Sequence, residues 1–169
     1  LDAAKPPSFS PRKAEQSPRS DHCGRGWSPY PSPPMASAVR PKVESSCTTR
    51  GFTVRAVPSF DPDRSSPTDR HFVFTYAITI ENGGVEEARL ISRRWVITDA
   101  AGRSHTVEGE GVIGMQPIFK PGVSFQYSSF CPLPTRWGTM EGSYRMRTVT
   151  GEEFDVAVSR FYLVAPEGT

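Results

Sequence analysis

The stretch HFVFTYAITIENGG, His71–Gly84, decides the fold. Phe72, Phe74, Tyr76, Ile78 and Ile80 recur at every second position, with Val73, Thr75, Ala77 and Thr79 between them. Successive side chains point to opposite faces only in an extended chain, so this run predicts a strand with one face in an apolar core. Asn82-Gly83-Gly84 ends it, because these residues tolerate the backbone that a tight turn requires.

Outward from this strand the pattern repeats. In LISRRWVITD (Leu90–Asp99), Ile91, Arg93, Trp95 and Ile97 alternate with Ser92, Arg94, Val96 and Thr98. Ala100-Ala101-Gly102 turns the chain into a short partner strand, Ser104–Glu108. Phe125 and Tyr127 mark another, ended by Pro132 and Pro134. Gly142–Val149 alternates Tyr144 and Met146 with Arg145 and Arg147, and Gly151-Glu152 turns it into Phe154–Val164. Upstream, Phe52–Val57 reads as a short strand stopping before Pro58, and Ser59–Asp69 as loop. About seven short strands without a helix predict an all-β, antiparallel β-sandwich.

Residues 1–50 are a different material. Nine of the chain's 17 prolines fall at or before Pro41, interleaved with Ser, Arg and Lys. Eight Lys/Arg stand there against four Asp/Glu, net +4, whereas residues 51–169 carry 12 and 14, net −2. Such a segment buries too little apolar surface to offset its ordering entropy. Residues 1–50 are therefore expected to be a disordered N-terminal tail and 51–169 the folded domain. The chain opens at Leu1, and Met35 offers an alternative start, MASAVRPKVESS. The Ser- and Arg-rich tail also fits an organelle transit peptide, although its prolines and the lack of an amphipathic stripe argue against one. The expected compartment is the cytoplasm, or an organelle if the tail is such a peptide. The tail's charges are scattered and not clustered, which argues against nucleic acid as a partner. No run approaches about 18 consecutive apolar residues, so no membrane partner is expected. Cys23, Cys47 and Cys131 lack C-x-x-C spacing and suggest neither a disulfide framework nor a zinc site.

The connection GEGVIGMQPIFKPG, Gly109–Gly122, sets Gly109, Gly111 and Gly114 in G-x-G-x-x-G spacing. In a dinucleotide site those glycines open a helix whose first N–H groups hold the pyrophosphate. Pro117 and Pro121 forbid that helix, which removes the dinucleotide reading. Two readings remain. The glycines permit tight turns, or their successive N–H groups form a nest for a small anion, such as a nucleotide phosphate.

Several separated motifs now occur in one order: FVFTYAITIEN (Phe72–Asn82), SRRWVITDAAG (Ser92–Gly102), GEGVIG, Gln116-Pro117, Lys120-Pro121-Gly122, F-x-Y-x-S from Phe125, and GTMEGSY (Gly138–Tyr144). Together they resemble the ApaG family over about Gly51 to Pro166. The resemblance implies an immunoglobulin- or fibronectin type III-like sandwich without established enzymatic activity or cofactor. It also implies, from bacterial members, a connection with cobalt resistance and magnesium efflux. In eukaryotic members the domain occurs in an F-box protein and a DNA-polymerase-interacting protein, where it looks like a protein-binding module. This chain reads as a stand-alone version of the domain.

No nucleophile, base and orienter lie together in the sequence, so an enzyme is not expected. Cys131 reads as a buried or edge thiol, and nothing brings His71 or His105 to it. His105, Glu108 and Glu110 offer metal-ligating atoms, but residues 105 and 108 face opposite sides of a strand. No metal site is assigned. Arg93, Arg94, Arg145 and Arg147 would make a basic face for an acidic or phosphorylated partner if their strands are neighbours. Trp137 reads as an exposed aromatic in a loop, fit to anchor an interface. The expected function is a non-catalytic protein–protein interaction module, the alternatives being small-anion binding at Gly109–Gly114 and a part in divalent-cation homeostasis.

Overall fold

A computed structural model describes residues 44–168, and in it the alternation becomes two antiparallel sheets. The tail up to residue 43, the start at Met35 and the transit-peptide reading lie outside the described residues. Among those described, the strands are β1 (Ser45–Thr49), β2 (Phe52–Ser66), β3 (His71–Asn82), β4 (Ala88–Asp99), β5 (Ser104–Glu110), β6 (Ile118–Phe119), β7 (Ser124–Leu133), β8 (Trp137–Thr148) and β9 (Glu153–Val164). One sheet runs β1-β2-β3-β7; the other runs β5-β4-β8-β9, with β6 joined to the start of β4. They face each other as an immunoglobulin/fibronectin type III-like sandwich. The only helical element among the described residues is a 3-10 turn at Pro67–Asp69.

β3 lies between β2 and β7, and its alternating residues Phe72, Phe74, Tyr76, Ile78 and Ile80 are all buried, as read. Two strands run further than expected. β2 continues through Pro58, because β1 pairs only with Phe52 to Ala56 and leaves the rest of β2 as an edge. A proline there costs no ladder bond. Pro132 is tolerated for the same reason in β7, which pairs only with β3.

The folded domain also starts before Gly51. Ser45–Thr49, too polar to read as a strand, forms the outer strand of its sheet and reaches across to β9. Ser45 Oγ donates to the Ser159 carbonyl at 3.2 Å, and the Ala157 N–H donates to Thr49 Oγ1 at 3.3 Å. Arg50 follows with ion pairs to Glu86 (2.9 Å) and Glu152 (2.7 Å), its guanidinium 4.4 Å above the Phe154 ring. A chain begun at Gly51 is expected to melt at least about 4 °C below one begun at Glu44, the shift that roughly 1 kcal/mol produces. Equal melting temperatures in calorimetry would show that β1 adds nothing.

Two bulges reset the alternation. The β4–β8 register shifts between Leu90 and Ser92, so Leu90 and Trp95 both face the core although five residues apart. Ile91, expected on the face of Trp95, sits in the bulge and is only partly buried. A second shift in the β8–β9 pairing passes the core face of β9 from Val156 and Val158 to Phe161 and Leu163.

Two polar contacts hold the interior. Tyr127 of β7 and Tyr144 of β8 join the sheets through a buried hydroxyl–hydroxyl bond of 2.6 Å. Asn82 is fully buried and fully bonded. Its Nδ2 donates to the carbonyls of Glu86 (2.7 Å) and Phe119 (3.0 Å), and its Oδ1 accepts from the Gly84 N–H (3.0 Å). One carboxamide thereby fixes the β3–β4 crossing against β6, where an unpaired amide would cost about 1–3 kcal/mol.

Candidate functional site

The glycine connection leaves β5 and folds back on itself. Val112 and Met115 exchange both backbone hydrogen bonds (2.8 and 2.9 Å), closing a two-residue turn over Ile113 and Gly114. Both central residues have positive φ, 44° and 76°, the geometry of a type I′ turn. Ile113 is a β-branched residue in the left-handed region, where its side chain is strained. Gly111 has φ 57°, and a Cβ there would lie 2.1 Å from the Met115 carbonyl oxygen. Its own N–H donates to Ile91 (2.8 Å). The N–H groups of Gly111, Val112 and Met115 are spent on carbonyls, whereas those of Ile113 and Gly114 at the centre of the turn make no such bond among the described residues. Gly109 has another task. The Arg93 guanidinium occupies the space beside it, within 3.0–3.1 Å of where a Cβ would stand.

The four arginines do come from neighbouring strands, since β4 and β8 pair. They do not make one basic face. Arg94, Arg145 and Arg147 line the outer side of the sheet, where each meets a carboxylate. Arg94 pairs with Glu108 (3.1 Å), Arg145 with Asp155 (2.6 Å) and Arg147 with Glu153 (2.5 Å). The Arg147 and Arg145 guanidiniums hold the Glu153 carboxyl below its ordinary range. The trough of about 640 Å³ between these residues is lined by Glu108, Glu110, Glu153 and Asp155 as well as by Arg94, Arg145 and, at its border, Arg93. It is a mixed, self-neutralised surface. Arg93 points to the inner side, as Trp95 and Ile97 do, and its Nη1 donates to the carbonyls of Glu110 (3.1 Å) and Gly111 (2.7 Å). The strand period already separates residues 93 and 94, so grouping them overlooked the simplest signal in the sequence.

Trp137 is the first residue of β8 and not part of a loop, yet it remains 47% exposed. It borders a hollow of about 900 Å³ at one end of the sandwich, with Pro67, Phe72 and Pro134 as apolar walls. Arg70, Arg103 and Arg136 stand around it. Arg136 donates to the Pro166 carbonyl (2.7 Å) and lies 5.8 Å over the Phe72 ring. Arg103 pairs with Asp99 (2.7 Å). Burial raises the Asp99 carboxyl, but the Arg103 guanidinium and the N–H groups of Arg103 and Ala101 outweigh it and keep the group low and charged.

The remaining candidates are placed as follows. Cys131 is buried, and burial pushes its thiol up to about 11, far from a reactive thiolate. His105, which the sequence did not connect with Cys131, lines the same hollow between β5 and β7. His105 shares the inner side with its partner Ile97, whereas Glu108 lies outside against Arg94. That split denies them a common metal. Among the described residues no group of three or more His, Cys, Asp or Glu side chains could hold a metal ion, and no helix is long and apolar enough to cross a membrane.

The comparisons with known proteins agree with this architecture. The family model described as the ApaG domain matches residues 62–148. A protein named ApaG from Bradyrhizobium sp. (strain ORS 278) is 47% identical over 120 residues, covering 71% of this chain and 92% of the relative. One from Caulobacter vibrioides is 48% identical over 118 residues, covering 70% and 84%. The crystal structure of a Bordetella pertussis protein named ApaA is similar with a TM-score of 0.67 and 42% identity, over 69% of this chain and 94% of that one. The motifs, the sandwich and these matches lead to one conclusion: the chain belongs to the ApaG family.

Proposed function

We propose that the domain is a non-catalytic protein-binding module, which takes an acidic segment with an apolar anchor at the Trp137 end. One observation carries this reading: a half-exposed tryptophan beside a predominantly apolar hollow ringed by Arg70, Arg103 and Arg136. Buried aromatic anchors with cationic neighbours supply most of the free energy at protein interfaces. The outer face of the second sheet, the other candidate, carries its own counter-charges. The neutral, buried thiol of Cys131 supports the non-catalytic part of the reading.

Trp137→Ala tests it. Because the side chain is half exposed, the variant is expected to melt close to the wild type. Its affinity for protein partners captured by the wild-type chain should fall by at least about tenfold, as for an interface hot spot. Val85→Ala, at an exposed apolar residue elsewhere, should leave binding intact. Undiminished capture by Trp137→Ala would overturn the assignment.

A further inference from the structure

The sandwich is closed along one side and open along the other. On the closed side β1 reaches β9 through the Ser45 and Thr49 hydroxyls. On the open side β5 overhangs. Its pairing places Val107 beside Trp95 and His105 beside Ile97, on the inner side, yet Val107 is 39% exposed and His105 is exposed too. Between this overhang and β7 lies a hollow of about 240 Å³, walled by Tyr76, Ser129 and Cys131 from one sheet and by Arg93, Trp95 and Val107 from the other.

Three features of its wall belong together. First, Arg93 meets no carboxylate: Nη1 binds two carbonyls, while Nε and Nη2 have no partner among the described residues. Second, none of the residues lining the hollow is an Asp or Glu. Arg93 is half-buried and also borders the outer trough, but it makes no ion pair with the carboxylates there. Within the hollow a ligand's carboxylate would meet its guanidinium without a competing acid. Third, Trp95 Nε1 is the one buried side-chain nitrogen or oxygen among the described residues without a hydrogen-bond partner. The Cε3 edge of the indole faces Gly142 on β8, so the opposite edge, which bears Nε1, turns away from β8. The aromatic and aliphatic surfaces of Tyr76, Trp95, Ile97, Val107 and Met140 complete an apolar bed.

We propose that this cleft binds a small organic carboxylate with an aromatic or branched apolar body. The carboxylate sits against Arg93 and the Ser129 hydroxyl, and the body lies over Trp95 and Val107. The volume is below the roughly 300–1,000 Å³ of sites for drug-sized ligands, which limits the ligand to a fragment. Gly109 contributes by leaving the space that the guanidinium occupies. This site is separate from the N–H groups of the glycine turn and from the Trp137 end.

The test is a titration of the full ¹⁵N-labelled chain with sodium benzoate and, in parallel, with uncharged benzamide at constant ionic strength. The chain has three tryptophans, and Trp27→Phe and Trp137→Phe together leave the Trp95 indole signal alone. The Trp95 indole N–H is expected to shift saturably with benzoate at millimolar concentrations. Benzamide should bind at least about tenfold more weakly, since it forgoes the charged bond to Arg93. Val107→Glu, at an exposed rim position, offers Arg93 an internal carboxylate; it should keep the melting temperature and lose the benzoate response. Equal responses to benzoate and benzamide would overturn the proposal, as would an unmoved Trp95 signal or full binding by Val107→Glu. A response to an extended acidic peptide with none to benzoate would assign the open side to a polypeptide and overturn it as well.

Discussion

Gly142→Ala is expected to lower stability by about 3 kcal/mol or more, the upper end of the cost of overpacking a core. A Cβ at this position would stand 2.0 Å from the Arg94 carbonyl oxygen and 3.0 Å from Cε3 of Trp95. The first of these is backbone, in the paired strands at the centre of the second sheet, and it cannot swing aside as a side chain would. Relief therefore requires β4 and β8 to part or the indole to leave its place among Tyr76, Tyr144 and Phe161. Urea unfolding of the two chains measures the loss. Gly83→Ala is the matched control, because its added methyl meets nothing nearer than 3.5 Å. It is expected to stay within about 1 kcal/mol of the wild type. A Gly142→Ala chain as stable as the wild type would mean that Trp95 does not lie over β8.

Phe74→Ala is the second large effect, at about 3–5 kcal/mol from lost burial and the cavity left behind. Phe74 is fully buried in the middle of β3, its ring 5.6 Å from that of Phe60. The denaturation midpoint should fall with little change in slope, the sign of lost stability without a change in the surface exposed. A nearly neutral substitution would put Phe74 on the opposite face and shift the phase of β3 by one residue.

The parts of the fold that were legible are those where one physical pattern acts alone. The large apolar residues from Phe72 to Ile80 fall at every second position and are buried, as a central strand with one face in the core requires. On the other face of this stretch only Val73 is buried as well. Legibility failed where the pattern is broken locally. The bulge at Ile91 adds one residue to β4 and reverses the phase that Trp95 and Ile97 suggest, and nothing in LISRRWVITD marks it. β1 was missed because SSCTT has no apolar alternation, and its pairing with β2 is backbone to backbone. Pro58 was read as a stop because the sequence does not show that β1 ends before reaching it. At the candidate sites, the exposure of Trp137 was foreseen, but the arginines were judged by sign and proximity alone. Their carboxylate partners lie on β5 and β9, eight or more residues away in the chain except for Glu153 beside Arg147. Arg93 differs from Arg94 only by which way its strand position faces. The cleft is legible only when both sheets are in place, since its walls come from β3, β4, β5, β7 and β8.

The burial of Asn82 has a chemical consequence beyond stability. An Asn followed by Gly is the pair most prone to lose its side-chain amide, because the next backbone nitrogen can attack the carboxamide carbon and close a succinimide ring. Here that nitrogen, on Gly83, donates to the Gly51 carbonyl at 2.9 Å. The carboxamide itself is held by Glu86, Phe119 and Gly84, away from water. Ring closure requires these bonds to open, so the fold protects its own most perishable side-chain amide. The same turn that stops β3 becomes a clock, which advances only while the β3–β4 crossing is undone.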